Sequence, residues 1–120
     1  MKITDITAIV LRLPDVTADC DGTQDTCLIR IDTDENITGW GEVDSCPSVV
    51  KAIIDAPLSH QICNGLANAL RGADPLAIDV CMQKLDAAAN YYGRTAVGAH
   101  AMAGLNIALW DIAGKAHNCP

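Results

Sequence analysis

The 120-residue sequence predicts an α+β fold, a three-stranded antiparallel meander followed by a helical bundle. Three observations point there. Residues 2–43 are β-branched runs broken by turn chemistry. After Ser45 the apolar residues recur at three- and four-residue steps, as on one face of a helix. The closing stretch AMAGLNIALWDIAGKAHNCP is helical, yet apolar or small on most of its circumference.

ITAIVLRL is the first strand, TCLIRIDT the second and ITGWGEV the third. The polar DTDEN between the last two includes Asn36, which tolerates positive φ, so these strands form a hairpin. In the second strand Cys27, Ile29 and Ile31 share one face, and Thr26, Arg30 and Asp32 the other, so one face of the sheet is covered. VVKAIIDAPLSHQICNGL reads as two short amphipathic pieces broken at Pro57. Asp74 then caps a helix that has Pro75 at its first position. Its stripe is Ile78, Cys81, Met82, Leu85, Ala89 and Tyr92, and it ends near Gly93. The last helix runs from Gly98 or Ala99 to Ala116 with Met102, Leu105, Leu109, Ile112 and Ala116 as its stripe. Ala101, Ala103, Gly104, Ile107, Ala108, Ala113 and Gly114 fill much of the remainder, so three strands and a few helices cannot cover every side of it.

Composition narrows the function classes. One domain's length is present, with no Phe, two Trp and two Tyr, so Ala, Ile, Leu and Val make most of the core. Thirteen Asp and two Glu against eight Lys plus Arg give a net charge of -7, which repels phosphate backbones and argues against nucleic acid. There is no uninterrupted apolar run of membrane-spanning length and the start lacks a signal-peptide pattern, so no membrane is expected and the cytoplasm is the default location. Cys20, Cys27, Cys46, Cys63, Cys81 and Cys119 form no CxxC pair or Cys/His cluster and read as reduced thiols. His60, His100 and His117 are scattered, and spacing makes none of them a ligand or nucleophile. Asp19, Asp21 and Asp25 suggest Ca²⁺, but the spacing of glycine and the missing bidentate Glu make them a solvated loop. Glu42 and Asp111 read as structural acids, and Lys115 as a cation at a helix carboxyl end.

Ala101 to Pro120, A-M-A-G-L-N-I-A-L-W-D-I-A-G-K-A-H-N-C-P, resembles the first signature of the mandelate racemase/muconate lactonizing enzymes, a branch of the enolase superfamily. GWGE, Gly39 to Glu42, is similar to the third strand of that family's amino-terminal domain, and the order of strands and helices is similar throughout. Asn106 departs from the pattern, in which an acid or Gln usually stands.

The resemblance implies an enolase-like amino-terminal capping domain: residues 1–45 as sheet, 46–116 as helices and 117–120 as the start of a link to a barrel absent from this chain. It implies a Mg²⁺-dependent lyase or isomerase that removes a proton α to a carboxylate, either a sugar-acid dehydratase or a racemase/epimerase. The catalytic groups and Mg²⁺ ligands then lie outside this chain, which is inactive alone. It also implies a small carboxylate or sugar-acid substrate and a homo-oligomer. Two lid loops follow by position: residues 15–24, with Thr17, Asp19, Cys20, Asp21, Gly22 and Thr23, and residues 44–49, with Ser45, Cys46 and Ser48. Arg94, Met102, Leu109, Trp110 and Asp111 are expected at the interface with the barrel, and a chain without it is expected to expose an apolar patch around Met102, Leu109 and Trp110 and to self-associate. The alternative is a stand-alone α+β binding or assembly module that docks through its last helix.

Overall fold

The computed structural model describes residues 1–19 and 23–119. Three strands, β1 (Ile3–Arg12), β2 (Asp25–Thr33) and β3 (Thr38–Val43), form one antiparallel sheet in the order β1-β2-β3. β1 begins earlier than the alternation predicts because Ile3 has a second partner: its N–H donates to Ala73 O and its carbonyl accepts from Gly72 N, each at 2.9 Å. The register against β2 shifts beside it, between Ile3 and Asp5. The β2–β3 hairpin turns as expected, with Asn36 at φ 60°. Thr33, the one buried polar residue of the described core, closes it by donating its hydroxyl to Ile37 O (2.8 Å) and accepting from Ile37 N (3.1 Å).

Four helices follow: α1 (Pro47–Asp55), α2 (Leu66–Leu70), α3 (Ile78–Ala88) and α4 (Ala96–Ala116). Several boundaries differ from those predicted. Helix does not resume directly after Pro57; residues 57–64 are irregular, with an isolated bridge between His60 and Cys63, and α2 starts only at Leu66. Asp74 does not cap α3. Its carboxylate accepts from Leu76 N two residues on (3.1 Å), which closes a turn around Pro75, and the helix starts at Ile78 after Ala77. At the far end α3 loosens after Ala88 into turns that reach Gly93, because Tyr92 N and Gly93 N both fold back to Ala89 O. α4 begins at Ala96, two or three residues earlier than expected.

The helices lie on one face of the sheet. α4 runs along β3, α1 lies against β1 and α4, and α3 packs against α4 and α2. Cys27, Ile29 and Ile31 of β2 are fully buried beneath them, together with Val50 and Ile54 of α1, Leu85 of α3, and Leu105, Leu109 and Ile112 of α4. The closest approach is made by backbone. A Cβ at Gly41 of β3 would overlap the Gly104 carbonyl and the Ala108 nitrogen of α4, so the family-like GWGE segment owes its glycines to a helix lying directly on the strand. α4 is the one described helix long and apolar enough to cross a membrane, at mean hydropathy 1.2, but seven of its residues are buried in this core, as in the central helix of a globular domain.

Candidate functional site

β1 ends, β2 begins and β3 ends at the same edge of the sheet, so the β1–β2 loop and the β3–α1 loop emerge side by side. Chain polarity in an antiparallel meander makes this unavoidable. The first loop is braced from inside. Gln24 donates its amide to Thr17 O (2.8 Å) and accepts from Thr17 N (3.0 Å), while Leu13 N donates to Gln24 O (2.9 Å). These bonds fix Leu13, Thr17 and Gln24 relative to one another. The two loops are tied to each other where Thr23 donates its hydroxyl to Asp44 (2.6 Å). The second loop is tied to α4, where Ser45 Oγ lies 2.6 Å from His100 Nδ1. Cys46, exposed and left-handed at φ 43°, makes the corner into α1, and Ser48 is exposed in the first turn of that helix. Asp19 is exposed. Cys20, Asp21 and Gly22 lie outside the described residues.

α4 supplies the second half of the site. Sheet, α1 and α3 cover three of its sides. His100, Ala103, Ile107, Trp110 and His117 are exposed on the fourth, with Gly114 partly so, at spacings of three and four residues. Ile107 is 52% and Trp110 63% exposed. Beside Trp110 a groove of about 650 Å³ runs along Ile107, Ala113, Gly114 and His117 to Cys119, and a second, lined by Leu76, Val80 and His117, flanks the indole on the α3 side.

Leu109 does not belong to this open face. It is fully buried, because neighbouring helical residues point about 100° apart and Leu109 follows the core stripe of Leu105 and Ile112 while Trp110 does not. Met102 is half-buried against the core, so it too contributes little to the patch. The exposed apolar anchors are Ile107 and Trp110. Arg94 is paired with Asp86 of α3 (2.9 Å), whose backbone carbonyl it also reaches (3.1 Å).

Asp111 is no bare acid. It accepts from Trp40 N (2.8 Å) and from Lys115 Nζ (2.6 Å), and Lys115 also donates to Thr38 O (2.8 Å). Trp40 N and Thr38 O are backbone groups on the side of β3 turned away from β2, so this i,i+4 pair satisfies the open edge of the sheet. Partial burial by itself would raise the Asp111 pKa, but the Lys115 and Trp40 hydrogen bonds outweigh it and hold the carboxyl below its ordinary value. Glu42 is likewise structural, accepting from Thr26 Oγ1 (2.8 Å), and Asp25 pairs with Arg12 (3.1 Å). Asn106, where the family pattern has an acid or Gln, leaves its buried Oδ1 without a partner. Among the described residues no three His, Cys, Asp or Glu side chains converge closely enough to hold a metal ion.

Comparison with known proteins follows the same lines. Residues 5–120 match the family described as mandelate racemase / muconate lactonizing enzyme, N-terminal domain. D-galactonate dehydratases of Xanthomonas axonopodis pv. citri and Klebsiella pneumoniae are each 38% identical over 94 residues, 77% of this chain and 22% of theirs. In solved structures the fold recurs in a predicted mandelate racemase from Rhodobacter sphaeroides, with TM-score 0.85, 27% identity and coverage of 99% of this chain and 30% of that one. It recurs in a member of the enolase superfamily from Polaromonas sp. JS666, with TM-score 0.73, 34% identity and coverage of 98% and 31%. The chain therefore spans about a fifth of the length of the curated relatives and under a third of these solved chains. The meander, the helix laid on its glycine-bearing strand and the match over residues 5–120 place this chain in the mandelate racemase / muconate lactonizing enzyme family, as an example of its amino-terminal domain.

Proposed function

We propose that this chain is the capping and substrate-specificity segment of an enolase-superfamily sugar-acid dehydratase, working against a barrel domain that docks on the open face of α4. The observation that carries the reading is that open face. A core helix is covered on three sides and presents Ile107 and Trp110 on the fourth, in a family whose curated relatives named here are far longer than this chain. Exposed apolar surface of this kind, flanked by grooves, is what a partner domain covers. The dehydratase class rests on the relatives named D-galactonate dehydratase.

The reaction class is removal of the proton α to a carboxylate, followed by loss of the β-hydroxyl as water. Its base and its Mg²⁺ ligands are assigned to the barrel. A Mg²⁺ ion held by barrel carboxylates would supply Lewis-acid stabilisation of the negative charge that develops at the substrate carboxylate. This chain's part is to exclude water and to place hydroxyl-bearing substrates. Thr17, Asp19, Thr23, Ser45 and Ser48 offer donors and acceptors for a polyhydroxylated acid from two loops that meet at one edge of the sheet. The five described cysteines are free thiols, which supports a reducing, cytoplasmic setting.

The test is a sugar-acid panel read for 2-keto-3-deoxy acid. Residues 1–120 alone are expected to convert nothing. The same chain joined to its barrel is expected to dehydrate at least one substrate, and replacing the residue 15–24 loop by a short Gly-Ser link is expected to raise KM and widen specificity more than it lowers kcat. Turnover by the isolated chain, or a loop replacement with no effect on kcat/KM, contradicts the assignment.

A further inference from the structure

We propose that His100 is a positioning residue for both lid loops, holding the β3–α1 corner through Ser45 and, one residue back along the chain, the β1–β2 loop through the Asp44–Thr23 bond. The proposal rests on reading these loops as a lid; the coupling itself does not.

Ser45 Oγ to His100 Nδ1, at 2.6 Å, is the one side-chain hydrogen bond between the β3–α1 loop and α4 among the described residues. Thr23 to Asp44, also 2.6 Å, is the one side-chain bond between the two loops among them. Both bonds fall on consecutive residues of a short corner. Cys46 next to them is held left-handed at φ 43° and gives α1 no side-chain cap, so the corner conformation is unfavourable for a non-glycine residue and needs an external tie. His100 supplies that tie from a rigid base. It belongs to the first turns of α4, and its neighbour Ala101 and then Leu105 are fully buried. From Ser45 and Asp44 the restraint passes to Thr23, whose neighbour Gln24 clamps Thr17 at both backbone groups. One imidazole on a core helix thereby sets the position of hydroxyl and carboxylate groups at Thr17, Thr23, Asp44 and Ser45 together. A shallow groove between Glu42, Ser45, His100 and Ala103 joins this corner to the open face of α4, so loop placement and barrel docking share a boundary.

Amide hydrogen exchange tests this without substrate. Val49 N and Val50 N, both bonded to Cys46 O, report on the corner; Thr17 N, bonded to Gln24, reports on the first loop. His100→Ala is expected to speed exchange roughly 2- to 10-fold at all three, the range set by one hydrogen bond, while core amides such as Ile29 and Leu109 stay as in the wild type. Ser45→Ala is expected to match it. His100→Asn, whose side-chain amide lies as many bonds from Cα as Nδ1, is expected to restore all three. In a Thr23→Val background His100→Ala is expected to speed only Val49 and Val50. The proposal is overturned if Thr17 ignores His100→Ala, if core amides accelerate equally, if Asn fails to rescue, or if Thr17 still responds in the Thr23→Val background. In the barrel-joined protein the coupled variants are expected to raise KM more than they lower kcat; kinetics that ignore a confirmed coupling sink the lid reading alone.

Discussion

Gly41→Ala probes how α4 is seated. The added methyl meets the Gly104 carbonyl oxygen and the Ala108 nitrogen, which are backbone atoms of a 21-residue helix and cannot rotate aside. The helix has to lift from β3, loosening Leu105, Ala108 and Ile112, all fully buried. Overpacking of this kind costs about 1–3 kcal/mol, and the rigid obstacles put Gly41→Ala near the upper end. The loss of chain entropy in the unfolded state returns only about 0.4–1 kcal/mol, leaving a net cost of roughly 2 kcal/mol. Gly104→Ala is the matched control. Its methyl meets Val43 Cγ2 and Ile29 Cδ1, side-chain atoms that can shift where a backbone carbonyl cannot, and Ala gains about 1 kcal/mol of helix propensity over Gly, so against the same overpacking range its net cost is zero to about 2 kcal/mol. Urea unfolding separates the two. Gly41→Ala is expected to lower the midpoint by roughly 1 M at unchanged m, and Gly104→Ala by less. Equal midpoints, or Gly104→Ala the more damaging, would show that the helix is not seated on β3 as described.

Three further outcomes follow from the same packing. Leu109→Ala is expected to cost about 2–5 kcal/mol and Trp110→Ala less than about 0.5 kcal/mol in the isolated chain, measured by thermal or urea unfolding, since one is enclosed and the other exposed. Asp111→Asn is expected to destabilise by roughly 1 kcal/mol at neutral pH, a charge-assisted hydrogen bond discounted for exposure. Because the folded Asp111 pKa lies below its unfolded value, its contribution is complete above the ordinary carboxylate range and disappears as pH falls through the lower folded value, so the acid branch of the wild-type stability curve should flatten in Asp111→Asn. Asn106→Leu, which removes an unpartnered buried Oδ1, is expected to leave unfolding stability unchanged or raise it.

The strands and α4 were legible because each has a local signature: alternation in Cys27, Ile29 and Ile31, a positive-φ residue at Asn36, and a long apolar run after Gly98. Legibility failed where one residue had two local options. Asp74 can cap a helix or close a turn, and Leu76 N serves either; the turn forms because Ala77, at ψ 61°, leaves the helical region and delays the helix to Ile78. The orientation of α4 was hard to read for a different reason. With few polar residues to phase it, the sequence does not fix which side of the helix meets the sheet; helical geometry sets Leu109 and Trp110 about 100° apart, and packing against β3 decides that Leu109 is the one enclosed. In the site, the loops could be located, but His100 carried no signal. Its partner Ser45 is 55 positions away, and no spacing rule joins a strand end to the start of a helix that crosses back over it. The Asp111–Lys115 pair had the i,i+4 pattern, yet its use as a cover for the β3 edge needs the tertiary fold.

The central claim is that these residues leave one side of α4 for a partner domain to cover. Acrylamide quenching of Trp110 as the sole tryptophan, in Trp40→Phe, tests it most directly when the chain is measured alone and joined to its barrel. Ready quenching of the isolated chain, with blue-shifted emission and strong protection in the joined protein, is the predicted result; a Trp110 already shielded in the isolated chain, or equally quenched in both, contradicts the account.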